Sequence, residues 1–139
     1  MKYHFKIHRD TDGLWAECIE LDGCITEADS EEELIKYMQE SLNLYLDEPE
    51  GSERFAPLPD EKIKGKNIIE VPVDPKIAFG LYMKHLRKEH KFTQKQLADM
   101  LGMKNKYSYQ RLEKKANPSL LLLAKLKKIY PEFNINLLI

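Results

Sequence analysis

Cysteine is almost absent: Cys18 and Cys24 are the only two among 139 residues. Two thiols are too few for a disulfide scaffold, and they fit a reducing cytosol. Long apolar runs are missing too. None approaches the roughly 20 residues needed to cross a bilayer. The opening MKYHFKIHRD alternates apolar and polar residues and lacks the apolar core of a secretory leader. A cytoplasmic protein is therefore expected. Also lacking are a nucleophile-base-orienter set, a glycine-rich phosphate loop and a metal-spaced histidine pair. No cofactor and no catalytic activity are expected. What is present is 42% hydrophobic and 32% charged, the balance of a folded globular chain. The length suits one ordinary domain or two small ones.

Net charge is only −1, but its distribution is uneven. Residues 1–75 hold 8 basic and 19 acidic side chains, a net −11. Residues 76–139 hold 14 basic and 4 acidic, a net +10. Such asymmetry points to two modules with different partners, and a compact basic segment is the electrostatic footprint of a nucleic-acid binder. Mutual attraction of the halves would also account for it.

In the acidic half, Tyr3, Phe5 and Ile7 alternate with Lys2, His4, Lys6 and His8, which puts one apolar face on a strand. Asp10-Thr-Asp-Gly13 is a hairpin turn, and a second strand spans Leu14 to Ile19. Leu21-Asp22-Gly23 turns again before a third short strand at Cys24-Ile25-Thr26. Ser30-Glu-Glu-Glu33 forms a capping box whose acids suit the positive end of a helix dipole. Leu34, Ile35, Met38, Leu42, Tyr45 and Leu46 follow with helical spacing, so one stripe packs on the sheet. Pro49-Glu-Gly51 ends that helix, and 48–66 is a long polar loop. Ile68 to Val73 returns as a fourth strand, and Asp74-Pro75 caps the next helix.

The string Gly13-Leu-Trp-Ala-Glu-Cys-Ile-Glu-Leu-Asp-Gly23-Cys24-Ile-Thr26, then Asp29-Ser30-Glu-Glu-Glu-Leu34 and Tyr45-Leu46, resembles the N-terminal domain of HicB antitoxins. The resemblance covers residues 1–73. It implies an α+β domain, an antiparallel sheet with one helix like a truncated RNase H fold. It also implies a partner, a HicA-like toxin that cleaves mRNA and is silenced by binding.

The basic half reads as helices. Pro75 to about His90 is the first, with Ile77, Ala78, Leu81, Met83 and Leu86 apolar. Thr93-Gln-Lys-Gln96 is a second capping box, followed by Leu97, Ala98 and Leu101, and Gly102 breaks the helix. Tyr107 to Lys115 forms a third helix with Tyr109 and Leu112 inward, and Asn117-Pro-Ser119 breaks and caps again. Leu120 to Tyr130 is the fourth helix, and Asn134 to Ile139 can add a last turn. This series is similar to the Cro and lambda-repressor type of helix-turn-helix over residues 76–139. Compared with that pattern there is one extra residue after Gly102 and one fewer before Asn117.

The resemblance implies an all-α DNA-binding domain and candidate contacts at Thr93, Gln94, Lys104, Asn105, Lys106, Tyr107, Ser108 and Arg111. Gln94 stands where relatives contact phosphate or a base, Arg111 matches the arginine of the third helix, and Glu113 matches a glutamate of structural role. Lys and Arg supply phosphate contacts, while Asn and Gln can read adenine. Leu120–Leu123 and Leu137-Leu138-Ile139 exceed the core needs of a small domain and suggest a homodimer or higher homo-oligomer, as symmetric half-sites require.

Two other residue sets could hold a metal ion. His4, His8, Cys18 and Cys24 lack tight zinc spacing, and the histidines fall on the polar strand face, so the cysteines read as small buried apolar residues. Asp10, Asp12, Glu17 and Asp22 could hold metals in an RNase H-like nuclease, but the aspartates read better as turn residues. The expectation is an antitoxin that binds a HicA-like toxin and represses its own operon by binding operator DNA. The alternatives are a stand-alone repressor with a sensory N-terminal domain and a metal-dependent nuclease.

Overall fold

The computed structural model describes residues 1–11 and 13–139. Asp12, which belongs to both the expected hairpin turn and the candidate carboxylate set, lies outside the described residues. The chain divides into two compact units, Met1–Asp47 with Arg54–Asp74, and Glu48–Glu53 with Pro75–Ile139. The second boundary falls between Asp74 and Pro75. The loop after the first helix is shared, because residues Glu48–Glu53 belong to the helical unit.

The first unit is an antiparallel sheet with one helix. β1 (Lys2–Asp10), β2 (Gly13–Cys18) and β3 (Ile25–Ala28) form a meander, and β4 (Ile68–Pro72) adds beside β1, giving the order β3-β2-β1-β4. The register pairs Phe5 with Cys18 and with Ile69, and Ile7 with Ala16. Alternation therefore places Tyr3, Phe5, Ala16, Cys18 and Val71 on one face, and all are buried. α1 (Glu31–Leu46) starts at Ser30, whose side chain accepts from the Glu33 amide. Its buried residues are Leu34, Met38, Leu42 and Leu46, one row at i, i+4 spacing. Each such aliphatic chain stabilises the fold by about 1.5–3 kcal/mol when fully buried. Ile35, expected in the stripe, is exposed, because it lies to one side of that row.

His4 corrects the sequence reading. Alternation puts it on the polar face, yet it is buried. Glu20, in the turn after β2, accepts from both the His4 amide (2.9 Å) and ring Nδ1 (2.8 Å). The same carboxylate accepts from the Asp60 amide at 3.2 Å, so the loop before β4 reaches this point. A buried imidazole is tolerated where its polar atoms are bonded. Arg54 lies over the Tyr45 ring, and the Tyr3 hydroxyl donates to the Pro57 carbonyl, which fixes residues 54–60 along this unit.

The second unit contains α2 (Pro75–Glu89), α3 (Gln94–Met100), α4 (Lys106–Lys114), α5 (Leu120–Ile129) and a 3-10 turn at Ile135–Leu137. Proline opens α2 where its missing N–H costs nothing. Ile77, Ala78, Phe79, Leu81, Tyr82, Met83 and Leu86 are all buried, so α2 is the central helix rather than a one-faced one. Leu97, Ala98, Tyr109, Leu126 and Tyr130 close the core around it. Ser119 caps α5 by accepting from the Leu122 amide, in line with the break expected at Asn117-Pro-Ser119.

Three buried phenols lead to a pH prediction. Burial pushes Tyr3, Tyr109 and Tyr130 above the ordinary tyrosine range. A folded-state pKa above the unfolded value means that the native chain holds protons the unfolded chain releases. Stability is then full below the unfolded value of about 10 and falls as pH rises beyond it. Ultraviolet titration should show these three of the seven tyrosines ionising only with loss of structure. Ionisation of all seven with the circular dichroism signal intact would refute this.

Candidate nucleic-acid interface

The candidate site is built by α3, the turn after it, and α4. Thr93 caps α3 with a complete capping box: its side chain accepts from the Gln96 amide, and the Gln96 side chain accepts from the Thr93 amide. At the other end the chain reverses through Gly102, whose φ of +70° is a conformation that favours glycine. The Gly102 amide donates to Asp99 and the Met103 amide to Ala98, at 3.1 and 2.8 Å. α4 begins at Lys106.

Asn105 is the N-cap of α4. Its Oδ1 accepts from the Ser108 amide at 3.1 Å and from the Ser108 hydroxyl at 3.4 Å. A two-point contact to adenine would have to give up this cap, which is worth about 1 kcal/mol. Lys104, Lys106 and Tyr107 are exposed, with the Lys106 ammonium 5.5 Å from the Tyr107 ring centre. Ser108 is half-buried. Arg111 is 73% exposed on the same helix, with its Nε 3.8 Å from a carboxylate oxygen of Glu50.

Gln94 is held in a network that sequence reasoning missed. The Arg87 guanidinium engages both oxygens of Glu113, through Nε to Oε1 and through Nη2 to Oε2 at 3.2 Å. Gln94 Nε2 donates to Glu113 Oε2 at 2.9 Å, and Gln110 Nε2 donates to Gln94 Oε1 at 2.8 Å. Arg87 also donates to the Phe92 carbonyl. Helices α2, α3 and α4 are thus tied at one point around the shielded Glu113 side chain. Neighbouring Glu113 raises the Arg87 pKa against the opposing pull of burial. The residues are 26 positions apart in sequence, and no spacing rule links them.

Residues 83–131 match the family model of the helix-turn-helix. The second unit carries a helix-turn-helix of the Cro/C1 type. This is the module of DNA-binding transcriptional regulators, and the matched segment includes all eight candidate contact residues. No curated protein matches the chain.

In the first unit Cys18 and Cys24 lie side by side, while Asp10, Glu17 and Asp22 each have separate partners. Asp10 accepts from the Trp15 indole at 3.0 Å, Glu17 meets His8 at 3.0 Å, and the Asp22 carbonyl accepts from Tyr45 at 2.7 Å. Cys18 and Cys24 are free and buried. Among the described residues no group of three His, Cys, Asp or Glu side chains is placed to hold a metal ion. Among them also no helix is long and apolar enough to cross a membrane.

Proposed function

We propose that the chain is an operator-binding antitoxin of the HicB type, active in the cytoplasm as a homodimer or higher homo-oligomer and without catalytic activity of its own. The helix-turn-helix at residues 83–131 carries the DNA-binding part of this reading. α4 offers Lys106, Tyr107 and Arg111 to the major groove, while Gln94 and its α3 neighbours approach the backbone. The HicB-like string in residues 13–46, on an acidic sheet unit, supports a HicA-like toxin as the second partner. An mRNA-cleaving toxin needs a cationic RNA surface, and opposite potentials steer encounter. Leu120 and Leu121 on α5, 84% and 78% exposed, together with Ile139 support self-association.

Arg111→Ala is expected to weaken operator binding by about 1–3 kcal/mol, roughly fivefold to 150-fold. Lys106→Ala should weaken all sequences alike and reduce the salt slope by about one if its contact is to phosphate. Gln94→Ala should act at the backbone, or relax specificity if the side chain reads a base. Anisotropy titrations at two salt concentrations read all three, beside co-expression with a HicA-like toxin. Neutralisation of the toxin should be unchanged in each variant. Unchanged DNA affinity in all three would mean that α4 does not face DNA.

The purified protein should not cleave RNA with magnesium or manganese. Cleavage abolished by Asp10→Asn or Asp22→Asn would replace the antitoxin reading with a nuclease.

A further inference from the structure

The helical unit includes one segment from the acidic half of the sequence, Glu48-Pro-Glu-Gly-Ser-Glu53. It holds three carboxylates and no basic residue, and it lowers the unit's net charge from +10 to +7. The segment is anchored. Lys84, a buried lysine of α2, donates from Nζ to the Ser52 carbonyl at 2.8 Å. Internally, the Ser52 amide donates to Pro49 at 3.1 Å and the Ser52 hydroxyl to Glu48 at 3.2 Å. Gly51 sits against the Gln110 side chain.

Its position matters more than its charge. Glu48, Pro49, Gly51 and Ser52 line one cleft together with Gln94, Gln110 and Lys114. Glu50 Oε1 lies 3.8 Å from Arg111 Nε. Glu53 adds a negative field at Lys84 and Arg87. Gln94 and Arg111 are two of the side chains assigned to DNA. Carboxylates stand beside them on the surface along which a phosphate backbone would run, and anions of the two kinds exclude each other by like-charge repulsion.

We propose that Glu48–Glu53 is an autoinhibitory strap, which competes with DNA for Arg111 and for the Gln94 edge of the helix-turn-helix. The inference rests on the DNA-binding reading of that module. DNA must displace the strap, or at least turn Glu50 away, before Arg111 is available. The strap leaves the sheet unit after Asp47 at the end of α1 and rejoins it at Arg54. Both of its ends are therefore covalently attached to the unit assigned to protein recognition, which gives a partner of that unit a route to DNA affinity.

The test uses the full chain and a labelled mixed-sequence DNA duplex. A strap variant, Glu48→Gln with Glu50→Gln and Glu53→Gln, is compared with a control of equal charge change, Glu27→Gln with Glu32→Gln and Glu61→Gln. The control acids are exposed in the sheet unit. At low salt the strap variant should bind roughly threefold to tenfold tighter than wild type, and the control less than about twofold tighter. Hydrogen exchange gives the second readout: DNA should protect the amides of α4 and expose that of Ser52. A strap variant no tighter than the control, or strap amides protected by DNA, would overturn the proposal. If Arg111→Ala weakens binding while strap and control variants behave alike, the DNA assignment stands and the strap fails alone. If neither wild type nor the strap variant binds any duplex while both remain folded by circular dichroism, the DNA assignment itself is wrong and the strap falls with it.

Discussion

Glu113→Ala is expected to destabilise the helical unit by about 3–5 kcal/mol, the cost of leaving a buried charge without its partner. The Glu113 side chain is 6% exposed and that of Arg87 14%. Both carboxylate oxygens are used, so truncation strands the guanidinium with the Phe92 carbonyl as its remaining bond and leaves the Gln94 amide group undonated. Arg87→Ala should cost a similar amount by stranding the carboxylate. The pair Arg87→Met with Glu113→Leu removes both charges and should lose far less than the sum of the single changes. Denaturant melts of the four proteins compare the double change with the two single ones. Two single variants within 1 kcal/mol of wild type, roughly the value of a surface pair, would show that the bridge is solvated and idle. DNA affinity should fall in step, because Gln94 keeps only its bond from Gln110.

What could be read from the sequence follows from which interactions are local. The Leu34–Leu46 row and the caps at Ser30, Thr93 and Ser119 depend on neighbours within a few positions, and the structure has each of them, whereas the alternation of β1 is broken by buried His4. Residues whose environment comes from distant chain were misjudged. Alternation put His4 in solvent because nothing nearby in sequence announces that Glu20 and the loop before β4 will cover it. The exposed Ile35 differs from Leu34 by one helical step, and only the position of the sheet decides which is inside.

The candidate site divides the same way. The Thr93–Gly102 string identifies the helix-turn-helix because its turn chemistry is local. Asn105, a candidate contact implied by the resemblance, caps α4. Sequence spacing starts this helix at Tyr107, one residue after its observed start at Lys106. Arg87, Gln110 and the strap gave no signal, since their roles exist only once α2, α3 and α4 are packed.

Gly80 is the strictest case of such a nonlocal requirement. It lies within α2, where glycine is ordinarily a liability and alanine is better by about 1 kcal/mol. Here a Cβ would come within 2.6 Å of the Glu113 carbonyl oxygen and 2.7 Å of that of Lys114. Both are backbone atoms at the end of α4, so no rotamer change relieves the clash. The helices approach closely enough at this point for Arg87 to reach Glu113 and for Tyr109 to be fully buried. Gly80→Ala should therefore destabilise the helical unit by about 1–3 kcal/mol, the usual cost of overpacking, instead of stabilising it. Gly80→Leu should prevent α4 from docking. Trp15, the sole tryptophan, lies in the sheet unit, so its emission should keep its native position while helical circular dichroism melts early. DNA binding should be lost with the docking of α4. A Gly80→Ala protein more stable than wild type would show that α2 and α4 are not in such close contact, and the geometry of the Arg87–Glu113–Gln94 network would have to be drawn again.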